Sequence, residues 1–125
     1  MALWLAALPA AMSLDDPDRV RPLLLALGHS RDPRALSALQ ALIEPSVRSR
    51  PDLVTALGLL GNARAVPSLA ERLASDPYVP VRTAAATALG RLGGTAAQSA
   101  LRRAEASERE SLVRTAIAAA LTGAP

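Results

Sequence analysis

Apolar positions along the chain recur at helical spacing. Val81, Ala85, Ala88, Leu89 and Leu92 follow i, i+4, i+7, i+8 and i+11, one stripe of a 3.6-residue helix. Val66, Leu69, Ala70 and Leu73 form a second stripe, and Leu36, Leu39, Leu42 and Ile43 are its counterpart one unit earlier. Gly61 and Gly93 stand where a helix must stop, because glycine accepts the left-handed conformation of a helix C-terminus. Glu44-Pro45 and Asp76-Pro77 mark the next stop and restart, since an acid suits a helix N-terminus and Pro its first turn. The pattern predicts a short helical segment near 2–14, then helices at 17–27, 33–43, 47–60, 65–74, 79–92, 96–106 and 109–122. Arg21-Pro22 falls inside the first of these longer helices and predicts a kink or a shortened helix there.

The stripes belong to an internal repeat. Leu-Gly occurs at Leu27-Gly28, Leu60-Gly61 and Leu92-Gly93, at a nearly constant interval. A second Leu-Gly precedes two of these by one helical turn, at Leu57-Gly58 and Leu89-Gly90. Glu44, Asp76 and Glu108 are evenly spaced, and Arg50, Arg82 and Arg114 keep the same interval, as do Leu57, Leu89 and Leu121. Each unit reads as helix A, a tight turn at Gly, helix B, and a turn at the acid. One such pair cannot bury its apolar stripe alone, and stacked pairs form a continuous core. The expected architecture is all-α, a right-handed α-solenoid of about 3–4 repeats forming one domain over 1–125. Within it, 1–15 is an N-terminal cap or partial repeat, 16–44, 45–75 and 76–107 are helix-pair repeats, and 108–125 is a C-terminal capping helix.

Composition narrows the chemistry. The chain includes 28 Ala and 22 Leu, which favour close helix packing with little area buried per alanine. There is no Cys and one His, so disulfide scaffolds, Cys-ligated metals and multi-His metal sites are excluded. All 14 basic side chains are Arg, against 11 acids, for a net charge of +3. That balance lacks the lopsided basicity usual in nucleic-acid binders. An Ala-rich, Arg-only composition is also what a GC-rich, bacterial genome encodes.

The motif set Asp76-Pro77, Val81-Arg82, Ala84-Ala85-Ala86, Ala88-Leu89-Gly90, Leu92-Gly93 and Leu101 resembles HEAT repeats, in particular the short bacterial type first noted in phycobilin lyases. The next unit repeats it through Glu108, Val113-Arg114, Ala116, Ala118 and Leu121. The resemblance covers about residues 16–122 and speaks to fold, because its motif residues are structural. It implies that the Arg following Val pairs with the repeat acids in a ladder, here Arg82 and Arg114. Arg50 holds the same register after Ser49. The ladder set is thus Glu44, Arg50, Asp76, Arg82, Glu108 and Arg114, each Arg lying six positions after an acid. A phosphate-binding Arg stripe is the rival reading of the same column.

The resemblance further implies that the B helices line the concave face that such solenoids turn toward a partner. Their polar positions are Ser37, Gln40, Ser68, Glu71, Arg72, Ser99, Arg102 and Arg103. Gln40, Glu71, Arg72, Arg102 and Arg103 are the expected interaction residues, Arg being favoured where paired hydrogen bonds are made across an interface. His29 reads as a turn residue after Gly28. No nucleophile–base pair, metal-ligand set or phosphate loop is legible, so no catalytic residue, metal or cofactor is expected.

The function expected is therefore a non-enzymatic scaffold that docks a protein. The alternatives are Arg-mediated nucleic-acid binding and an accessory subunit of an enzyme such as a bilin-lyase-like complex. No membrane association is expected. The uncharged segment 1–14, MALWLAALPAAMSL, is too short and too interrupted by Pro9 to span a bilayer. It lacks the basic residues that open a signal peptide, which favours a cytoplasmic location. Its Trp4, Leu5 and Leu8 read as a cap or as a self-association patch.

Overall fold

The computed structural model describes residues 16–123. The segment near 2–14 lies outside the described residues. Seven helices follow one another: α1 (Pro17–Ser30), α2 (Arg34–Leu42), α3 (Arg50–Leu60), α4 (Val66–Ser75), α5 (Val79–Leu92), α6 (Thr95–Ser107) and α7 (Ser111–Thr122). A single turn of 3-10 helix, Ala63–Ala65, leads into α4. No strand occurs among the described residues.

The helices form two layers. In one, α1 packs on α3, α3 on α5, and α5 on α7. In the other, α2, α4 and α6 each pack against the A-type helix that follows, and α4 also contacts α6. The all-helical stack fits an α-solenoid. Its core is a column of buried leucines: Leu24 and Leu27 from α1, Leu39 from α2, Leu53 and Leu57 from α3, Leu69 and Leu73 from α4, Leu89 from α5 and Leu101 from α6, closed by Ile117 from α7. Leu39, Leu69, Leu73 and Leu89 among them belong to the apolar stripes of the sequence.

The second Leu-Gly pair has a packing role that spacing did not reveal. Gly58 lies within α3 against Ala88 of α5, where a Cβ on residue 58 would stand 2.7 Å from the Ala88 Cβ. Gly90 meets Ala120 of α7 in the same way, also at 2.7 Å. The A-type layer is therefore drawn together by a Gly-against-Ala contact between successive units, repeated once. Gly61 does end α3, with φ +74°, in the left-handed region.

The first unit departs from expectation in two places. Helix α1 does not stop before Gly28. It runs to Ser30, and Arg31 takes the left-handed conformation with φ 56°. Gly28 instead lies inside the helix, where a Cβ would stand 3.0 Å from both the Ala56 carbonyl oxygen and the Leu59 Cβ. His29 accordingly belongs to the last helical turn and not to a loop. Pro22 does not shorten α1 either. Pro22 is exposed, on the solvent side of α1, and the helix continues through it.

Candidate functional site

The most concentrated chemistry is a chain of ionic contacts along the turns that precede the A-type helices. Arg50 opens α3, and its side chain is 6% exposed. Its Nε donates to the Ile43 carbonyl at 2.7 Å, Nη2 to the Glu44 carbonyl at 2.7 Å, and Nη1 to Asp76 Oδ2 at 3.1 Å. Asp76 is fully covered. Besides Arg50, its carboxylate accepts from Arg72 Nη1 at 3.2 Å and from the Tyr78 backbone N–H at 3.0 Å. Arg72 in turn reaches Glu44 at 2.9 Å and Glu71 at 3.2 Å. Two buried guanidiniums thus share one buried carboxylate, and two exposed acids engage the outer side of Arg72.

One unit further on, Arg82 repeats the arrangement. Its Nη1 donates to the Asp76 carbonyl at 2.9 Å, and its Nε and Nη2 grip Glu108 at 2.9 and 3.3 Å. Glu108 also accepts from the backbone N–H groups of Arg109 and Glu110. Burial alone would raise the Glu108 pKa. The fork from Arg82 and these two N–H groups outweigh it, and the carboxyl is held below the ordinary glutamate value.

This geometry corrects the sequence reading on three points. Arg50 and Arg82 each meet the acid six positions before them through that residue's backbone carbonyl, and take a carboxylate from the acid of the following unit. The acids do not cap the next helices: the N-cap positions of α3, α5 and α7 are Ser49, Tyr78 and Glu110. Glu44, Asp76 and Glu108 lie outside those positions. Arg72, expected on the docking face, is buried and held by three acids, so it is not available to a partner. The sequence signal that could have separated it from Arg102 and Arg103 is its spacing, one helical turn before Asp76. Arg114 is exposed and forms no ion pair among the described residues.

The other expected interaction residues remain at the surface. Gln40 is half-buried and donates to Ser68 Oγ at 2.9 Å, tying α2 to α4. Glu71, Arg102 and Arg103 are exposed. Arg102 makes no ion pair among the described residues, and Arg103 donates only to the Ser99 carbonyl of its own helix, at 3.4 Å. A shallow groove of about 340 Å³ lies between α4 and α6, lined by Ala70, Ala74, Ala100 and Ala104 with Glu71 and Arg103. Among the described residues no three His, Asp or Glu side chains gather as a metal-ion site. None of the described helices is long and apolar enough to cross a membrane.

No curated protein matches the chain. The family model described as HEAT repeats matches residues 44–122, more than half of the sequence. That span begins at the acid bridged to Arg72 and takes in both the Arg50–Asp76 and Arg82–Glu108 contacts. Proteins built from such repeats are commonly protein-interaction scaffolds, and by this match the chain belongs to the HEAT repeat family.

Proposed function

We propose that the chain is a non-enzymatic protein-interaction module, a short right-handed solenoid of the bacterial type that presents the face formed by α2, α4 and α6. The observation that carries this reading is the α4–α6 groove: an alanine floor beside Glu71 and Arg103, with no acid engaging Arg103 or its exposed chain neighbour Arg102 among the described residues. An alanine floor admits a partner side chain or helix closely, and arginines free of ion pairs supply charge-assisted hydrogen bonds without first breaking a salt bridge. Arg50, Asp76, Arg82 and Glu108 hold the turns in register, so that this face is presented rigidly.

Site-specific photocrosslinking tests the reading. A photoreactive residue at Ser99, exposed on α6, should crosslink a protein in lysate that the same residue at Thr87, exposed on α5, does not. Equal crosslinking from both positions would remove the assignment of the face.

A second reading has its own observation. Arg91, Arg102, Arg103, Arg109 and Arg114 are all exposed and all without an ion pair among the described residues, which concentrates free positive charge in the last third of the chain. Nucleic-acid binding through them would weaken steeply with salt as counterions are released. A fluorescence-anisotropy titration against duplex DNA and single-stranded RNA at several salt concentrations decides it.

A further inference from the structure

The even charge balance of the chain conceals a lopsided distribution. The turns that join each A-type helix to its B-type partner lie at the end of the stack opposite the buried ionic contacts. That edge carries Arg31, Arg34, Arg64 and Arg91 and a single acid, Asp32. Of the 14 arginines and 11 acids, the remaining ten of each lie elsewhere, so the whole net charge of +3 belongs to this edge. Asp32 is taken by Arg34 at 2.7 Å. Arg31, Arg64 and Arg91 are exposed and form no ion pair among the described residues. Arg31 crosses from the first turn onto the second, where its Nη2 stands 2.7 Å from the position of the Cβ that Gly61 lacks. Fold stability does not account for these arginines. Arg31 is the one described residue other than glycine with a positive φ, 56°, and a glycine fills the corresponding end of α3, α5 and α7. Arg34 opens α2 and Arg64 lies in the turn that leads into α4, where the helix dipole favours acids over cations. The first turns of α2, α4 and α6 hold no acid.

We infer that this edge docks on the phosphate backbone of a nucleic-acid duplex, independently of the α4–α6 groove. It is a different surface from that of Arg102, Arg103, Arg109 and Arg114, which stand among Glu105, Glu108 and Glu110. Charge selects the occupant, and Arg is the side chain whose planar fork matches phosphate. Successive turns are one helix spacing apart, about 8–10 Å, so each free arginine meets its own phosphate. The exposed large apolar side chains Val47, Tyr78 and Leu112 all stand at the opposite end of the helices. An acidic protein partner would need an apolar centre to its interface, which this edge does not offer among the described residues. A single strand would need aromatic side chains on which to stack its bases, and the one described aromatic residue, Tyr78, is on the other edge. Contacts to phosphate alone carry no sequence information, so the duplex is bound without sequence preference.

The test is fluorescence anisotropy of a labelled mixed-sequence DNA duplex, titrated with the full chain at several salt concentrations. Three free arginines predict that the logarithm of the binding constant falls with that of salt at a slope of about −3. Arg31→Gln/Arg64→Gln should weaken binding about tenfold or more and flatten the slope toward about −1. Arg102→Gln/Arg103→Gln removes the same net charge and should leave binding close to native, so the comparison reports position. All four residues are exposed, and unchanged circular dichroism melts exclude misfolding as the cause. Arg31→Gly should also weaken binding, with the Tm unchanged or raised, because glycine takes the left-handed position without a steric penalty. Absence of binding at low salt overturns the inference, as does weakening by the α6 variant and not by the edge variant. Tighter binding to a single strand of the same sequence overturns it too, as does displacement by polyglutamate as effective as by unlabelled duplex.

Discussion

Arg50 and Asp76, from successive repeat units, meet at 3.1 Å with side chains 6% and 0% exposed. Removing one partner of such a pair is costly because the other charge is left buried without compensation. Asp76→Ala should lower unfolding free energy by about 3–5 kcal/mol, since it strands both Arg50 and Arg72. Urea denaturation at neutral pH measures it. Arg82→Ala, with its more accessible side chain, should cost less. The reverse order would mean that burial does not set the energetics of these contacts.

The Gly58–Ala88 contact limits side-chain size. Gly58→Ala gains about 1 kcal/mol of helix propensity but sets two methyl carbons 2.7 Å apart. Overpacking of this kind costs about 1–3 kcal/mol. The single substitution should therefore be neutral to destabilising, and adding Ala88→Gly should relieve the clash. A double-mutant cycle by thermal denaturation checks it, and a coupling energy near zero would show that the two helices are not held by this contact.

Glu108 sets a pH dependence. Its pKa is lowered in the folded protein, from an ordinary value of 4.5. Its contribution is therefore fully present above the unfolded value and is lost as pH falls through the folded one. Glu108→Gln should lower the Tm at pH 7, by an amount corresponding to about 1–2 kcal/mol. The difference from the native protein should shrink below pH 4.5. Melting curves from acid to neutral pH read it directly, and a difference independent of pH would contradict the assignment.

The ends of α3, α5 and α7 were legible because period and punctuation agreed there. Gly61 and Gly93 end helices as expected, and α5 spans residues 79–92 as the stripe from Val81 to Leu92 requires. Gly28 misled because one residue type serves two ends: close packing at Gly28, Gly58 and Gly90, and a left-handed turn at Gly61. Nothing in a one-dimensional pattern separates these uses. The Arg and acid columns were visible in their even spacing, but their partners were not. A carboxylate in the following unit and one six positions behind are both near in a stack. The side chains' reach decides between them, and reach is a three-dimensional quantity. Arg72 was misplaced for a related reason: it shares the B-helix register with Gln40, yet Asp76 one turn on draws it inward.

Docking of a protein on the α4–α6 face is tested most directly by a pull-down from nuclease-treated lysate. The native chain is compared with Arg102→Glu/Arg103→Glu, two exposed positions whose change leaves the buried ionic contacts intact. A protein recovered by the native chain and lost with the variant is the predicted result. Equal recovery by both would contradict the face, and recovery of nucleic acid alone once nuclease is omitted would contradict the protein-docking function.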